Sequence, residues 1–239
     1  MEAIANIYDA IGDEGAFARI PETIASVAGA RSGIVQIFDR NWEIKDVGTS
    51  YFTDDMLGRY IEHDLWRLDP WKAPAVEALN RLISMDQAMP AQQVAQTAFF
   101  HENFRHWGDD TAHCLAGVFD LSDGYLSVGV HRGLAAPDFS EDDLARTASV
   151  WPHVLRMFEL RRRLHDADMR GALSGAALDA QQNAVFVVDR QGRPQLMNRQ
   201  AEALAVAGEG LHLTAIGLRA TRNAEANILE QAVHSACTR

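Results

Sequence analysis

The chain has 239 residues, enough for one large domain or two modest ones, each with its own core. Hydrophobic residues make up 47% and charged residues 23%, a globular balance that excludes disorder as the dominant state. With 33 acids against 22 lysines and arginines the net charge is −11, a field that repels phosphate backbones and speaks against nucleic-acid binding by this piece alone.

The N-terminal residues carry acids and lack both a basic leader and an uninterrupted apolar stretch, so no signal peptide is expected. Two short helices are predicted, over 3–11 and 15–28. In the second, Phe17, Ile20, Ile24 and Val27 recur at helical spacing, and Pro21 forces a break or restart. The period then changes. The β-branched run 33–39 and the alternating run 42–47, joined through Asp39-Arg40-Asn41, predict a hairpin.

A helix is expected over 54–63, with Met56, Leu57, Tyr60 and Ile61 on one side. Asp69-Pro70-Trp71 closes that region, because proline disfavours helix in the residue before it. Two further helices are expected, over 74–82 and 91–107; the second would carry Phe100, Phe104 and Trp107 on one aromatic face. Strands over 113–121 and 125–132 follow, joined through Ser122-Asp123-Gly124.

Phe139-Ser140-Glu141-Asp142-Asp143-Leu144 carries a helix start: Ser140 caps, Asp143 reciprocates, and Phe139 staples onto Leu144. The helix continues with Leu144, Ala148, Trp151, Leu155 and Phe158 in a stripe towards residue 180, with a kink allowed at Pro152. Its early part packs on its own sheet. Beyond Phe158 its length suits a connector and a two-fold seam. Arg161, Arg162 and Arg163 read as a solvated face. A fresh unit begins after Gln181, with strands over 184–188 and 193–197 and Asn198 as N-cap of a helix over 199–207. A short extended piece follows, and then a last helix from Asn223 to about residue 236. No internal repeat is visible. No apolar run is long enough to span a bilayer, so no membrane partner is expected.

The candidate site is the aromatic group Tyr60, Trp66, Trp71, Phe99, Phe100, Phe104 and Trp107, with Asp69 and His101 as its polar points. Small-molecule pockets have this make-up, an apolar and aromatic lining with few placed polar groups. The same rings would equally serve as packing between helices and sheet. Asp69, between Leu68 and Pro70, can either cap a following helix or bond a ligand. Nine histidines form no His-x-x-x-His pair, and His113 and Cys114, adjacent on a strand, point to opposite faces, so no metal site is expected. No Gly-x-Ser-x-Gly elbow and no phosphate loop occur, so neither catalytic residues nor a cofactor is expected. Cys114 and Cys237 lie far apart and read as free thiols in a reducing cytoplasm, Cys114 as a small hydrophobe on a buried strand.

Over residues 1–165 the order helix, hairpin, helices, hairpin, long helix is similar to GAF-like and autoinducer-domain-like sensor folds. The segment from Tyr60-Ile61-Glu62-His63 through Asp69-Pro70-Trp71 resembles the aromatic-rich stretch of LuxR-type ligand-binding domains. That resemblance implies a pocket lined by this stretch, in which the aspartate bonds the ligand amide. The strand over 184–188, Asp189 with Gly192, and Asn198 followed by Ala201 resemble the opening of a PAS domain, whose remaining sheet strands are missing.

The expected fold is α+β: a central antiparallel sheet flanked by helices over 1–140 (GAF-like), a long signalling and dimerisation helix over 141–180, and a small partial PAS-like α+β unit over 181–239. The expected function is ligand sensing in a LuxR-type transcriptional regulator, not enzymatic. A small organic ligand occupies the aromatic group, a homodimer forms through the helix after Ser140, and DNA is met only through a C-terminal helix-turn-helix missing from this chain. A chain ending at Arg239 reads as part of a longer regulator or as a natural short protein. The alternatives are a ligand-free dimerisation and scaffolding module, and a thiol-based redox enzyme using Cys114.

Overall fold

Three short helices open the chain: α1 (Glu2–Asp9), α2 (Glu14–Ala18) and α3 (Ile20–Ala28). The break anticipated around Pro21 falls at Arg19, and Pro21 sits in the first turn of α3, where its missing N–H leaves no hydrogen bond unmade. The computed structural model describes residues 2–214 and 217–237 and divides into two compact units, Met1–Arg163 and Leu164–Arg239.

In the first unit the hairpin of β1 (Ser32–Asp39) and β2 (Ile44–Thr49) forms as its alternation dictates. Asp39 closes the turn, its Oδ1 accepting from the backbone N–H of Asn41 at 2.8 Å and Glu43 at 3.0 Å. Helices α4 (Asp54–Glu62) and α5 (Lys72–Glu77) follow, then β3 (Ile83–Ser84), α6 (Ala91–Val94), β4 (Thr111–Leu121) and β5 (Gly124–Gly133). The strands make one antiparallel sheet in the order β2-β1-β5-β4-β3. The two-residue edge strand β3 carries too short a pattern to be read from sequence.

Period-two alternation along β4 sends its side chains into two separate cores. Leu115 and Phe119 join Ile7, Ile20, Ile24, Val128, Trp151 and Met157 under α1, α3 and α7 (Glu141–Asp179). Ala112, Cys114, Ala116 and Val118 join Met56, Trp71, Met85, Phe99, Phe100 and Phe104 on the opposite side. Close approach of α3 to the sheet depends on Gly33, where a Cβ would lie 2.2 Å from the Pro21 carbonyl oxygen.

The capping box at Ser140 forms in full. Ser140 Oγ accepts from Asp143 N at 3.2 Å, and Asp143 Oδ2 accepts from Ser140 N at 2.9 Å. Arg132 and Arg146 also pair with this carboxylate. These hydrogen bonds hold the Asp143 carboxyl down at about 2. We expect Ser140→Ala to lower the unfolding free energy by about 1 kcal/mol, measured by urea unfolding at neutral pH. Helix α7 runs continuously through Pro152 for 39 residues, and after Phe158 it has no buried residue.

Three expectations need correction. The helix expected over 91–107 is broken: α6 stops at Val94, a wide π turn spans Phe100–Phe104, and a tight 3₁₀ turn spans Arg105–Trp107. Thr97 causes the break, since its hydroxyl bonds back to Val94 O at 2.6 Å and accepts from Phe100 N at 3.1 Å. The change of pitch removes Trp107 from the face of Phe100 and Phe104 and leaves it exposed. The helix expected over 74–82 ends at Glu77, because the chain turns to the sheet: Asn80 adopts φ 63°, donates to Val118 O at 2.7 Å, and its Oδ1 accepts from Asp120 N. Arg161 does not face solvent freely. It donates to the Ala10 carbonyl, pairs with Glu14 and lies over the Phe17 ring, and Arg163 pairs with Glu159.

Among its described residues the second unit contains two antiparallel strand pairs and two helices besides its share of α7. Strands β6 (Phe186–Val188) and β7 (Pro194–Met197) form one pair, and β8 (Leu211–Thr214) and β9 (Gly217–Ala220) the other, with α8 (Arg199–Ala207) between them and α9 (Asn223–Cys237) last. Asn198 does more than cap α8. Its Oδ1 accepts from Ala201 N and Val185 N, and its Nδ2 donates to the carbonyls of Leu178 and Asn183. A fully buried amide with both ends engaged fixes β6, β7 and the end of α7 together. The stretch expected as one extended piece is the antiparallel pair β8–β9. The expected free thiol at Cys237 falls on a side chain outside the described residues.

Candidate functional site

The second core is not filled throughout. Among its rings lies a cavity of about 80 Å³, lined on the sheet side by Ile34, Gln36 and His131 and on the helix side by Tyr60, Asp69, Trp71, Phe99 and Phe104. Phe52, Met56, Leu57 and Asn103 complete the wall. The rings brace each other edge to face: Trp71 on Phe99 at 5.7 Å, Phe99 on Phe104 at 5.4 Å, and Phe52 on His131 at 5.4 Å. Gly129 makes room for the imidazole, since a Cβ there would approach His131 Nε2 to 3.1 Å.

Asp69 lines the hollow and uses both carboxylate oxygens within the chain. Its Oδ1 accepts from the backbone N–H of Trp71 at 2.9 Å, just before α5, and its Oδ2 accepts from the Tyr60 hydroxyl at 3.1 Å. Burial pushes its carboxyl up to about 6, against the pull of those two hydrogen bonds and of Lys72. Burial and the neighbouring carboxylate also raise the Tyr60 phenol well above its ordinary value, so Tyr60 stays a donor. Trp71 is 6% exposed, and its indole Nε1–H has no hydrogen-bond partner among the described residues. A buried donor left unpaired costs about 1–3 kcal/mol, so this N–H favours an incoming acceptor. Opposite, His131 Nδ1 lies 3.1 Å from Ser32 Oγ, and burial pushes the imidazole down to about 3, with Asp109 opposing. The ring is neutral throughout the physiological range.

Of the residues named from sequence, Tyr60, Asp69, Trp71, Phe99 and Phe104 come together around this hollow. Phe100 is buried behind them against Phe104 but does not line it. Trp66, His101 and Trp107 lie outside it. The Trp66 ring is held between Arg67 and Lys72 with its N–H on Asp64, while His101 and Trp107 are exposed. Gln36, Asn103 and His131 are the polar lining residues that sequence reasoning missed. Gln36 interrupts the apolar run Ile34 to Phe38, which was a readable signal; Asn103 and His131 stand beside other polar residues and offered none.

Cys114 is 2% exposed and burial pushes its thiol up, so it sits in the second core as a small hydrophobe without the stabilised thiolate that redox chemistry requires. No helix among the described residues is long and apolar enough to cross a membrane.

No family model matches the chain, and no curated protein matches it. Solved structures do. The N-acylhomoserine lactone dependent LuxR-family transcription factor CepR2 from Burkholderia cenocepacia is similar at 14% identity, over 69% of this chain and 96% of that chain, with a TM-score of 0.50. The ligand-binding domain of VqsR from Pseudomonas aeruginosa is similar at 16% identity, over 68% of this chain and 95% of that chain, also at 0.50. At such identity the likeness is one of fold: an α+β architecture around a five-stranded antiparallel sheet.

Proposed function

We propose that the chain is the sensory region of a LuxR-type transcriptional regulator working in the cytoplasm. In this reading a small organic molecule enters the aromatic cavity, and its presence is passed along α7 to a DNA-binding output domain. The observation that carries the reading is that one aromatic hollow is lined both by Asp69, an acceptor, and by Trp71, whose buried indole donor has no partner among the described residues. An N-acyl amide supplies the matching groups, an N–H for Asp69 and a carbonyl for Trp71. CepR2, whose fold is similar, is N-acylhomoserine lactone dependent.

The size of the hollow bears on the mechanism. Pockets for small organic ligands occupy roughly 300–1,000 Å³, and this one holds about 80 Å³. The sheet wall is fixed by its ladder of hydrogen bonds, whereas the opposite wall consists of short helices and turns between α4 and the π turn. Ligand uptake therefore displaces the helical wall and selects a wider arrangement. Differential affinity for the two arrangements is what converts occupancy into a signal.

A second copy of the chain along α7 belongs to the same proposal. Beyond its buried half the helix exposes Met169 and Leu173, one turn apart on the same side. Parallel pairing would cover these side chains and carry the change to both output domains.

The test is thermal and calorimetric titration of the full chain with N-acylhomoserine lactones of increasing acyl length. A cognate member at about 100 times its Kd raises the unfolding free energy by about 2.7 kcal/mol. Trp71→Phe keeps the ring, removes the donor, and weakens binding by about 10-fold or more, the equivalent of one hydrogen bond of about 1.4 kcal/mol. Absence of any shift across the series, or full affinity in Trp71→Phe, would refute the reading and favour a ligand-free dimerisation module.

A further inference from the structure

Outside the cavity, three side chains from distant parts of the first unit converge. Asp86 lies in the short 3₁₀ turn Met85–Gln87 after β3, His113 lies on β4, and Asp138 lies in the loop that leads into α7. One ligand atom from each falls within 4.8 Å of the other two. We infer that these three residues form a site for a divalent transition-metal ion of the zinc class, tying the sheet edge to the start of the long helix.

The convergence alone would not carry this, because acids cluster commonly. The second observation is the state of the histidine. His113 is 5% exposed; its Nδ1 lies 2.8 Å from Asp86 Oδ2, while its Nε2 is buried without a hydrogen-bond partner. Asp86 Oδ1 is buried without a partner as well. Among the described residues no lysine or arginine pairs with either carboxylate, and the two acids are near enough to repel. The nearby Arg132 is engaged elsewhere, with Asp143 and with the backbone carbonyls of Ala28, Gly29, Pro137 and Asp138. An unshared pair of acids around a buried imidazole has acceptors in excess and no cation, which a metal ion corrects.

The donor set selects the ion. Magnesium and calcium take oxygen ligands, and a buried imidazole nitrogen is of little use to them. One imidazole with two carboxylates suits zinc, whose three-ligand sites keep a fourth position for water. Asp138 is exposed and leaves that position open to solvent. The supporting bonds are present: Ser84 Oγ donates to Asp138 Oδ1 at 2.9 Å, and Ala91 N donates to Asp86 Oδ2 at 3.3 Å. Ligand atoms around a tetrahedral ion with bonds of ~2.0 Å stand about 3.3 Å apart. The ion would therefore spread the close pair slightly, and the proton now shared between His113 Nδ1 and Asp86 Oδ2 would move to Nε2, freeing Nδ1 to ligate.

The experiment uses the full chain stripped with a chelator and titrated calorimetrically with zinc chloride, with magnesium chloride as the control. The expected result is one equivalent of zinc bound and no magnesium. Asp138→Ala, an exposed position that leaves the core intact, and Asp86→Asn each weaken zinc binding by at least about 10-fold, the lower end of what even supporting residues contribute. His165→Ala, at an exposed histidine elsewhere, leaves it unchanged. Failure to bind zinc, or undiminished binding in both Asp138→Ala and Asp86→Asn, overturns the assignment. Neither outcome touches the aromatic cavity, so ligand sensing stands or falls separately.

Discussion

Asp69→Asn is expected to stabilise the protein at pH 8 while weakening binding of the proposed N-acyl ligand. The Asp69 carboxyl titrates at about 6 in the folded chain against an ordinary 3.8, because burial penalises its charged form. Below pH 3.8 it is protonated both folded and unfolded, and the penalty is absent. Between 3.8 and about 6 the unfolded chain ionises first and stability falls; above 6 the full penalty stands, roughly 3 kcal/mol. Asparagine has the shape of the protonated acid and carries no charge. The gain over the native chain should therefore reach roughly 3 kcal/mol at pH 8, reduced by any weakening of the bonds to Tyr60 and Trp71, and fade towards pH 4. Urea unfolding of both proteins across that range measures it. Asparagine also loses an acceptor of full charge, so the same variant should bind a cognate N-acyl ligand at least about 10-fold more weakly. A carboxylate that costs folding energy and is required for binding is the signature of a functional group. Equal stability of the two proteins at pH 8 would mean that Asp69 is solvated and that its hollow is open to water.

His131 should produce the opposite slope. Its imidazole titrates at about 3 in the folded chain against an ordinary 6.5, again through burial. Its neutral form therefore contributes stability that is complete above 6.5 and is lost as the pH falls, because the unfolded chain takes up the proton first. By pH 5 the loss is about 2 kcal/mol, and it deepens to roughly 5 kcal/mol below pH 3. Over the same interval protonation of Asp69 relieves its own penalty, so the two slopes largely cancel between pH 7 and pH 5. The native chain should be nearly flat there, whereas Asp69→Asn should lose about 2 kcal/mol. His131→Gln removes the loss, and the ring resonances of His131 should remain those of a neutral imidazole at pH 5. An imidazolium at pH 5 would show that water reaches the ring and that the sheet wall of the cavity is not closed.

The two cavity residues differ in how far they could be read in advance. Asp69 stands out in sequence because an acid between Leu68 and Pro70 needs a reason. His131 does not, since a histidine in a strand is as often edge as core, and only pairing with β1 and β4 puts it inside. Trp66 and Trp71 look alike in sequence, yet one ring is held between two cations outside and the other lines the hollow. Which way each ring turns depends on the pitch of a short turn and on what packs against it, and neither is a local property.

The sequence by itself determined the parts whose signals lie within a few residues. These are the capping box at Ser140, the Asp39 turn, the hairpin through Ser122 and Asp123, the Asn198 cap, and the length of α7. Their hydrogen bonds close over short spans, so residue identity suffices. Only the tertiary structure decided which face of the sheet holds a hollow, and that Asp86, His113 and Asp138 meet. Those outcomes depend on contacts between residues far apart in the chain, where the register of five strands and the packing of two cores set positions that no local pattern encodes.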